Sequence, residues 1–261
     1  MKRITFEVAG KEYEGSIPEK WSEITQEQFV IFVDRLKSRR EGLSLDTVVD
    51  IINIDTVAAV NLELADWWYL REQLSWMMEV NTIDTLIIDT LTLEDGTVLY
   101  GYSGDMSDVT FEEWIFADTY AGMQRWDIVA SVLYRPEREN WSHECDRRIP
   151  FSKYGADARA GMIAKLDPAI MKAVRFNYLL LRRRMTKKYK RLFHESEVDN
   201  GKVNKKPGKS TTGWLTLIRN VMGDNFYEEQ KYMQLSVPSV FFQLERMIKE
   251  NNERKRHGEA N

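Results

Sequence analysis

Apolar residues recur at helical spacing through most of this chain and then stop between Ser196 and Thr212, where Gly201, Pro207 and Gly208 stand among lysines. A stretch with almost nothing to bury cannot offset the entropy of being ordered, and its composition is that of a mobile linker. The gap divides the sequence into a main domain over residues 1–195, a basic linker over 196–212 and a small module over 213–261. Elsewhere the balance of 43% apolar and 30% charged residues is that of a chain that folds around a core.

Within the first part, the patterns predict helices interrupted by two β-hairpins. Ile4, Phe6 and Val8 alternate, Ala9 to Lys11 turns, and the alternation resumes at Tyr13 and Ile17. The second hairpin joins Leu91 and Leu93 to Val98 and Tyr100 through Asp95 and Gly96, which suit the positive φ of a tight turn. An isolated hairpin is marginal in water, so the two are expected to pair into one small antiparallel sheet.

The helix starts are written in capping residues. Thr25 can cap with Gln28 reciprocating, Ile24 can staple to Phe29, and Thr110 with Glu113 repeats the box. The first helix is expected to stop near Gly42. Ser44 opens a second helix through Val48 and Ile52, and Asn61 a third through Leu64, Trp67, Trp68, Leu74, Trp76 and Met77. These tryptophans read as core, except that Trp67 and Trp68 cannot both face the same way and one of them suits a protein contact.

A further helix runs from Trp126 to the break at Pro136, and residues 137–156 read as irregular. Helical patterns resume at Ala158 and again after Pro168, ending in an arginine cluster. Beyond the linker, a helix from Trp214 to Met222 and another through Leu235, Val240, Phe241 and Leu244 form a helical hairpin before a charged tail from Lys249. The fold class is mainly α with a small antiparallel sheet.

The search for chemistry ends in exclusions. The fourteen glycines never form a phosphate-cradling loop, so no nucleotide cofactor is expected. The single cysteine, Cys145, allows no internal disulfide and suits a reducing cytoplasm. His143 lies two residues from it, a spacing that seldom sets the geometry of a nucleophile pair, and with His194 the two lack the spacing of a metal site. The opening residues alternate in polarity, unlike a signal peptide, and no run approaches the roughly 18 apolar residues of a membrane span.

Charge is unevenly distributed. Arg182 to Lys209 holds eleven Lys and Arg against three acids, +8 in a chain of net charge −4. Arg182, Arg183, Arg184, Lys187, Lys188, Lys190 and Arg191, interleaved with Tyr189 and Phe193, are the candidate site for nucleic acid or an acidic partner. Their charges are expected on all sides of the helix, which fits a solvated helix end running into the linker.

The order Ile17, Pro18, Trp21, Ile24, Thr25, Gln28 and Phe29 resembles the opening of the tail assembly chaperones of tailed bacteriophages of the Bacteroidetes type. Val132, Arg135 and Pro136, and later Leu179 to Leu181, continue the likeness. Trp214 to Ile218, Gly223 and Asp224, and then Leu235, Phe241 and Leu244 look like that family's small C-terminal module. The resemblance implies a module that engages the tape measure protein and a main domain that recruits tail tube subunits in the host cytoplasm. Here both parts lie in one continuous frame, which departs from the frameshifted arrangement of the family.

No catalytic or cofactor role comes with the resemblance. The expected function is non-enzymatic chaperoning by protein binding, with Trp214, Leu217, Ile218, Phe241, Phe242 and Leu244 as partner contacts. The alternative for these residues is docking on the main domain. The alternatives for the protein are a structural subunit of the virion or a nucleic-acid binder using the basic stretch 182–209.

Overall fold

The structure is a computed structural model and describes residues 1–8, 10–36, 42–142, 146–193, 214 and 226–258. It is mainly α with small antiparallel sheets. Contacts divide the chain into two units, Met1–Asp89 with Asp167–Leu180, and Thr90–Leu166 with Leu181–Asn261. The basic linker expected over 196–212 lies outside the described residues.

In the first unit, β1 (Lys2–Val8) and β2 (Lys11–Ile17) pair from Lys2 with Ile17 to Val8 with Lys11, and Gly10 takes the positive φ at the turn. The chain then enters a short 3₁₀ turn at Trp21, whose ring packs edge-on against Phe29, Phe32 and Trp76. Its indole donates to Thr82 at 2.9 Å, so a large buried aromatic keeps its polar atom satisfied. Helix α1 (Gln26–Arg35) starts where expected, with Thr25 and Gln28 exchanging both hydrogen bonds of the capping box. The helix closes at Arg35 with Leu36 as its C-cap, before the expected stop near Gly42, which takes a positive φ.

Ser44 caps α2 (Leu45–Ile52), and Asn53 ends it in the left-handed conformation. The third helix differs from expectation. Asp55 accepts from Val57 and Ala58 and opens α3 (Thr56–Asn61), so Asn61 closes that helix instead of capping the next. Helix α4 (Leu64–Gln73) begins separately, with Asp66 accepting from the Glu63 amide, and Ser75–Met78 and Val80–Thr82 continue as 3₁₀ turns. A carboxylate two residues before a backbone amide competed successfully with the longer apolar period.

The first part of α8 (Pro168–Lys188) belongs to this unit. Its fully buried Asn177 accepts from the amides of Ile87 and Ile88 at 2.7 and 3.2 Å and donates to the Thr85 carbonyl at 3.2 Å. An irregular segment with unpaired backbone groups is thereby satisfied by one side chain.

In the second unit, β3 (Thr90–Thr92) and β4 (Val98–Tyr100) pair with Leu91 opposite Leu99, and Gly96 takes the positive φ predicted for the turn. The two hairpins do not join: each is a separate two-stranded sheet. Each finds its own cover. Gly15 of β2 lies against Ile52 of α2, whereas Tyr100 of β4 exchanges two backbone hydrogen bonds with Arg135.

Thr110 and Glu113 form the second capping box at the start of α5 (Phe111–Gly122), followed by α6 (Trp126–Leu133). Helix α7 (Lys153–Ile163) starts five residues before the expected Ala158, because the Ser152 hydroxyl accepts from Gly155 and holds a first turn that glycine seemed to exclude. The short α9 (Lys190–Phe193) follows α8.

The C-terminal helices, α10 (Phe226–Gln234) and α11 (Val237–Gly258), are sewn to the N-terminus of α5. The Phe111 amide donates to the Leu235 carbonyl at 2.8 Å, and Val237 to Val109 at 2.9 Å. Helix α11 continues through the segment expected as a charged tail, with Arg246 to Glu250 and Lys249 to Glu253 paired one turn apart. Asn177→Leu should destabilise the first unit by about 1–3 kcal/mol for each amide it strands. Chemical denaturation would detect this loss, and an unchanged midpoint would show that Asn177 is dispensable.

Candidate protein-binding surface

The densest chemistry in the second unit is buried and ionic. Arg135, 1% exposed, donates from Nη1 to Glu113 at 2.6 Å and from Nη2 to Asp146 at 3.0 Å. Arg148, fully buried, reaches Asp146 from Nε at 2.9 Å and the carbonyls of Leu133 and Asp108 at 2.8 and 2.7 Å. Burial pushes the Glu113 carboxyl above its ordinary range against the pull of Arg135 and Arg148. Burial also pushes up the Tyr102 phenol, packed edge-on against Tyr134.

Glu113, Asp146 and the two arginines bond one another and the backbone, and both guanidinium groups are shielded from solvent. The buried Tyr102 hydroxyl and Arg135 Nε have no hydrogen-bond partner among the described residues. The cluster fixes the segment after Asp146 against α5 and α6. Among the described residues no group of three or more His, Cys, Asp or Glu is placed to hold a metal ion. His143, Cys145 and His194 lie outside the described residues.

A different kind of surface occurs in the first unit. Val57 and Val60 of α3 are 61% and 76% exposed, and Leu64 and Trp68 of α4 are 71% and 59% exposed. Leu64 and Trp68 stand one turn apart on the same side of α4, and Tyr69 beside them is also exposed. The neighbouring Trp67 is half-buried and Leu70 is buried, so the adjacent tryptophans divide as the helix geometry demands.

Trp68 is held, not merely exposed. The Arg71 guanidinium lies 5.3 Å from its ring centroid. Gly42, at φ +67°, makes room for that guanidinium: a Cβ there would stand 2.6 Å from Arg71 Nη2. Beside the ring runs a groove of about 500 Å³ lined by Leu43, Trp68, Arg71, Glu72, Ser75 and Met78. A rigid aromatic at the rim of a part-apolar groove is the anatomy of a protein-contact anchor.

The C-terminal contact residues fall elsewhere. Trp214, Phe241 and Leu244 are buried, with Phe241 ringed by Phe111, Trp114, Tyr189, Phe193 and Trp214 at 5.4–6.1 Å. The docking alternative describes these three. Phe242 is exposed, and Leu217 and Ile218 lie outside the described residues.

The described part of the basic run, up to Phe193, is helical and has a buried side. Leu181, Met185, Tyr189 and Leu192 are buried at about one-turn spacing, and Arg182 turns inward to Asp118. Arg183, Arg184, Lys187, Lys188, Lys190 and Arg191 are left exposed on the outer side, not spread around the whole helix.

The exposure of Val57, Val60 and Leu64 was not legible in the sequence because short capped helices hid which side of each faced the core. The available signal was the adjacency of Trp67 and Trp68. No family model, curated protein or solved structure matches the chain.

Two outcomes follow for the ionic cluster. Arg135→Met should cost about 3–5 kcal/mol by stranding a buried carboxylate, and adding Glu113→Gln should recover part of it. Urea denaturation of both variants checks this, and equal losses would refute the coupling. Burial opposes charge on Asp146, but the hydrogen bonds and charge of Arg148, with Arg135, hold its carboxyl below the ordinary range. That contribution is complete above a pH of about 4 and is lost as pH falls through the lower native value. Asp146→Asn should therefore flatten the acid limb of stability against pH, and an unchanged limb would place the acid sensitivity in other groups.

Proposed function

We propose that this protein is a non-enzymatic assembly chaperone of a tailed bacteriophage, which binds the tape measure protein and tail tube subunits while the tail is built. The observation that carries the protein-binding part is the exposure of Val57 and Val60 on α3 and of Leu64 and Trp68 on α4, with Trp68 stacked by Arg71. Burying a large rigid aromatic is among the most favourable single contributions an interface makes. The resemblance around Trp21, Thr25 and Trp214 supplies the biological setting.

A client with long apolar helices aggregates unless its apolar faces are covered. A chaperone that covers them needs apolar side chains already facing water on a stable scaffold. On this reading the described part of the contact surface is α3 and α4, with Phe242 as an additional exposed candidate. A permanent structural subunit would use the same surface but would be retained in finished particles.

A nucleic-acid reading has one specific support, the outward-facing cations from Arg183 to Arg191. It predicts steep loss of affinity with salt, with a log–log slope of about −0.9 for each duplex phosphate neutralised. A flat salt dependence would eliminate it.

Trp68→Ala combined with Leu64→Ala should change folding stability by less than about 1 kcal/mol, because both side chains are exposed. Co-expressed with the tape measure protein, the double variant should lose the client solubility that the parent chain provides. Client solubility unaffected by the double variant would exclude this surface, and insensitivity to the parent chain would exclude chaperoning.

A further inference from the structure

We infer that the α3–α4 surface takes a cationic amphipathic helix, an inference that rests on the protein-binding reading and names the class of partner. Its basis is the charge carried by the segment that holds these exposed apolar side chains. Between residues 45 and 79 stand seven carboxylates and one cation, Arg71. Asp46, Asp55, Glu63, Asp66, Glu72 and Glu79 are all exposed. Arg71 is stacked on Trp68, Lys2 of β1 donates to the Tyr69 hydroxyl at 3.0 Å, and Glu72 lines the groove beside the Trp68 ring.

The surface thus presents apolar anchors within a field of negative charge. An acidic partner would bring like charges together as it buried Trp68, and an anionic membrane surface would meet the same repulsion. A partner with an apolar row flanked by Lys or Arg satisfies both features at once.

The backbone decides between a helix and a strand. The main-chain groups of α3 and α4 are engaged within their own helices and caps, so this surface has no strand edge to extend. Recognition must run through side chains. Leu64 and Trp68, one turn apart on α4, match the i, i+3, i+4, i+7 row of an amphipathic helix laid against them.

A second copy of this chain is the competing occupant. Its exposed cationic face, from Arg183 to Arg191, has no exposed apolar side chain between its cations; exposed Leu179 before it and half-buried Phe193 after it stand at its ends. It complements the carboxylates and not the apolar row.

The test uses the full chain and three fluorescently labelled peptides: an amphipathic helix of Leu and Lys, the same Leu row with Glu for Lys, and a Leu/Lys scramble that destroys the row. The Leu/Lys helix should bind at least about tenfold more tightly than either control, and more weakly as salt rises. Trp68→Ala should weaken it about 30-fold, a loss of hot-spot size. Glu72→Lys should weaken the Leu/Lys helix and strengthen the Leu/Glu helix, whereas Tyr154→Ala, at an exposed aromatic of α7, should change neither.

Equal binding of the Leu/Glu helix would overturn the charge selection, and equal binding of the scramble would overturn the helix. Sedimentation that reveals a Trp68-dependent dimer without peptide would assign the surface to a second copy instead. If no peptide binds while client solubility still depends on Leu64 and Trp68, this inference fails and the protein-binding reading stands. If client solubility is also indifferent to them, both fail.

Discussion

The second unit is organised by the buried contact between Arg135 and Glu113. Arg135 closes two backbone hydrogen bonds with Tyr100 of β4, while its side chain reaches Glu113 of α5, the Val132 carbonyl of α6 and Asp146. One residue therefore ties hairpin, two helices and a following segment into a single arrangement. Glu113 is equally committed, because its other carboxylate oxygen accepts from the Thr110 amide and completes the cap of α5. Helix α5 then supplies Phe111 and Trp114 to the aromatic cluster around Phe241. Buried charges of this kind add little net stability over apolar residues of the same shape, but they are costly to mispair, and that asymmetry selects one packing.

The same economy of contacts explains the placement of the C-terminal helices. Two short helices cannot bury enough surface alone, and here the backbone bridge between Thr110 and Ser236 sets α11 against α5. The residues that looked most like partner anchors in the sequence, Trp214, Phe241 and Leu244, satisfy that need internally. The surplus apolar surface is instead on α3 and α4, where short helices bury Ala58, Ala59 and Leu70 and leave Val60, Leu64 and Trp68 in water.

What could be read from the sequence was local. The caps at Thr25, Ser44 and Thr110 and the turn at Asp95 and Gly96 depend on residues within four positions of one another, and each appears as expected. Hidden features depended on distant partners. Asn177 gives no hint that it serves amides ninety and eighty-nine residues away. Nothing near Arg135 announces Glu113, and Arg182 joined the basic run in sequence although Asp118 draws it inward. At the candidate surface only the adjacency of Trp67 and Trp68 was legible. The break between α3 and α4, which leaves Leu64 facing water, comes from the Asp55 and Asp66 side chains capping two short helices.

Amide hydrogen exchange of the full chain, alone and bound to the tape measure protein, tests most directly whether α3 and α4 form the contact surface for a protein client. Added protection concentrated in residues 56–73 is the expected result. Protection confined to residues 181–193 or to the C-terminal helices, with 56–73 unchanged, would contradict it.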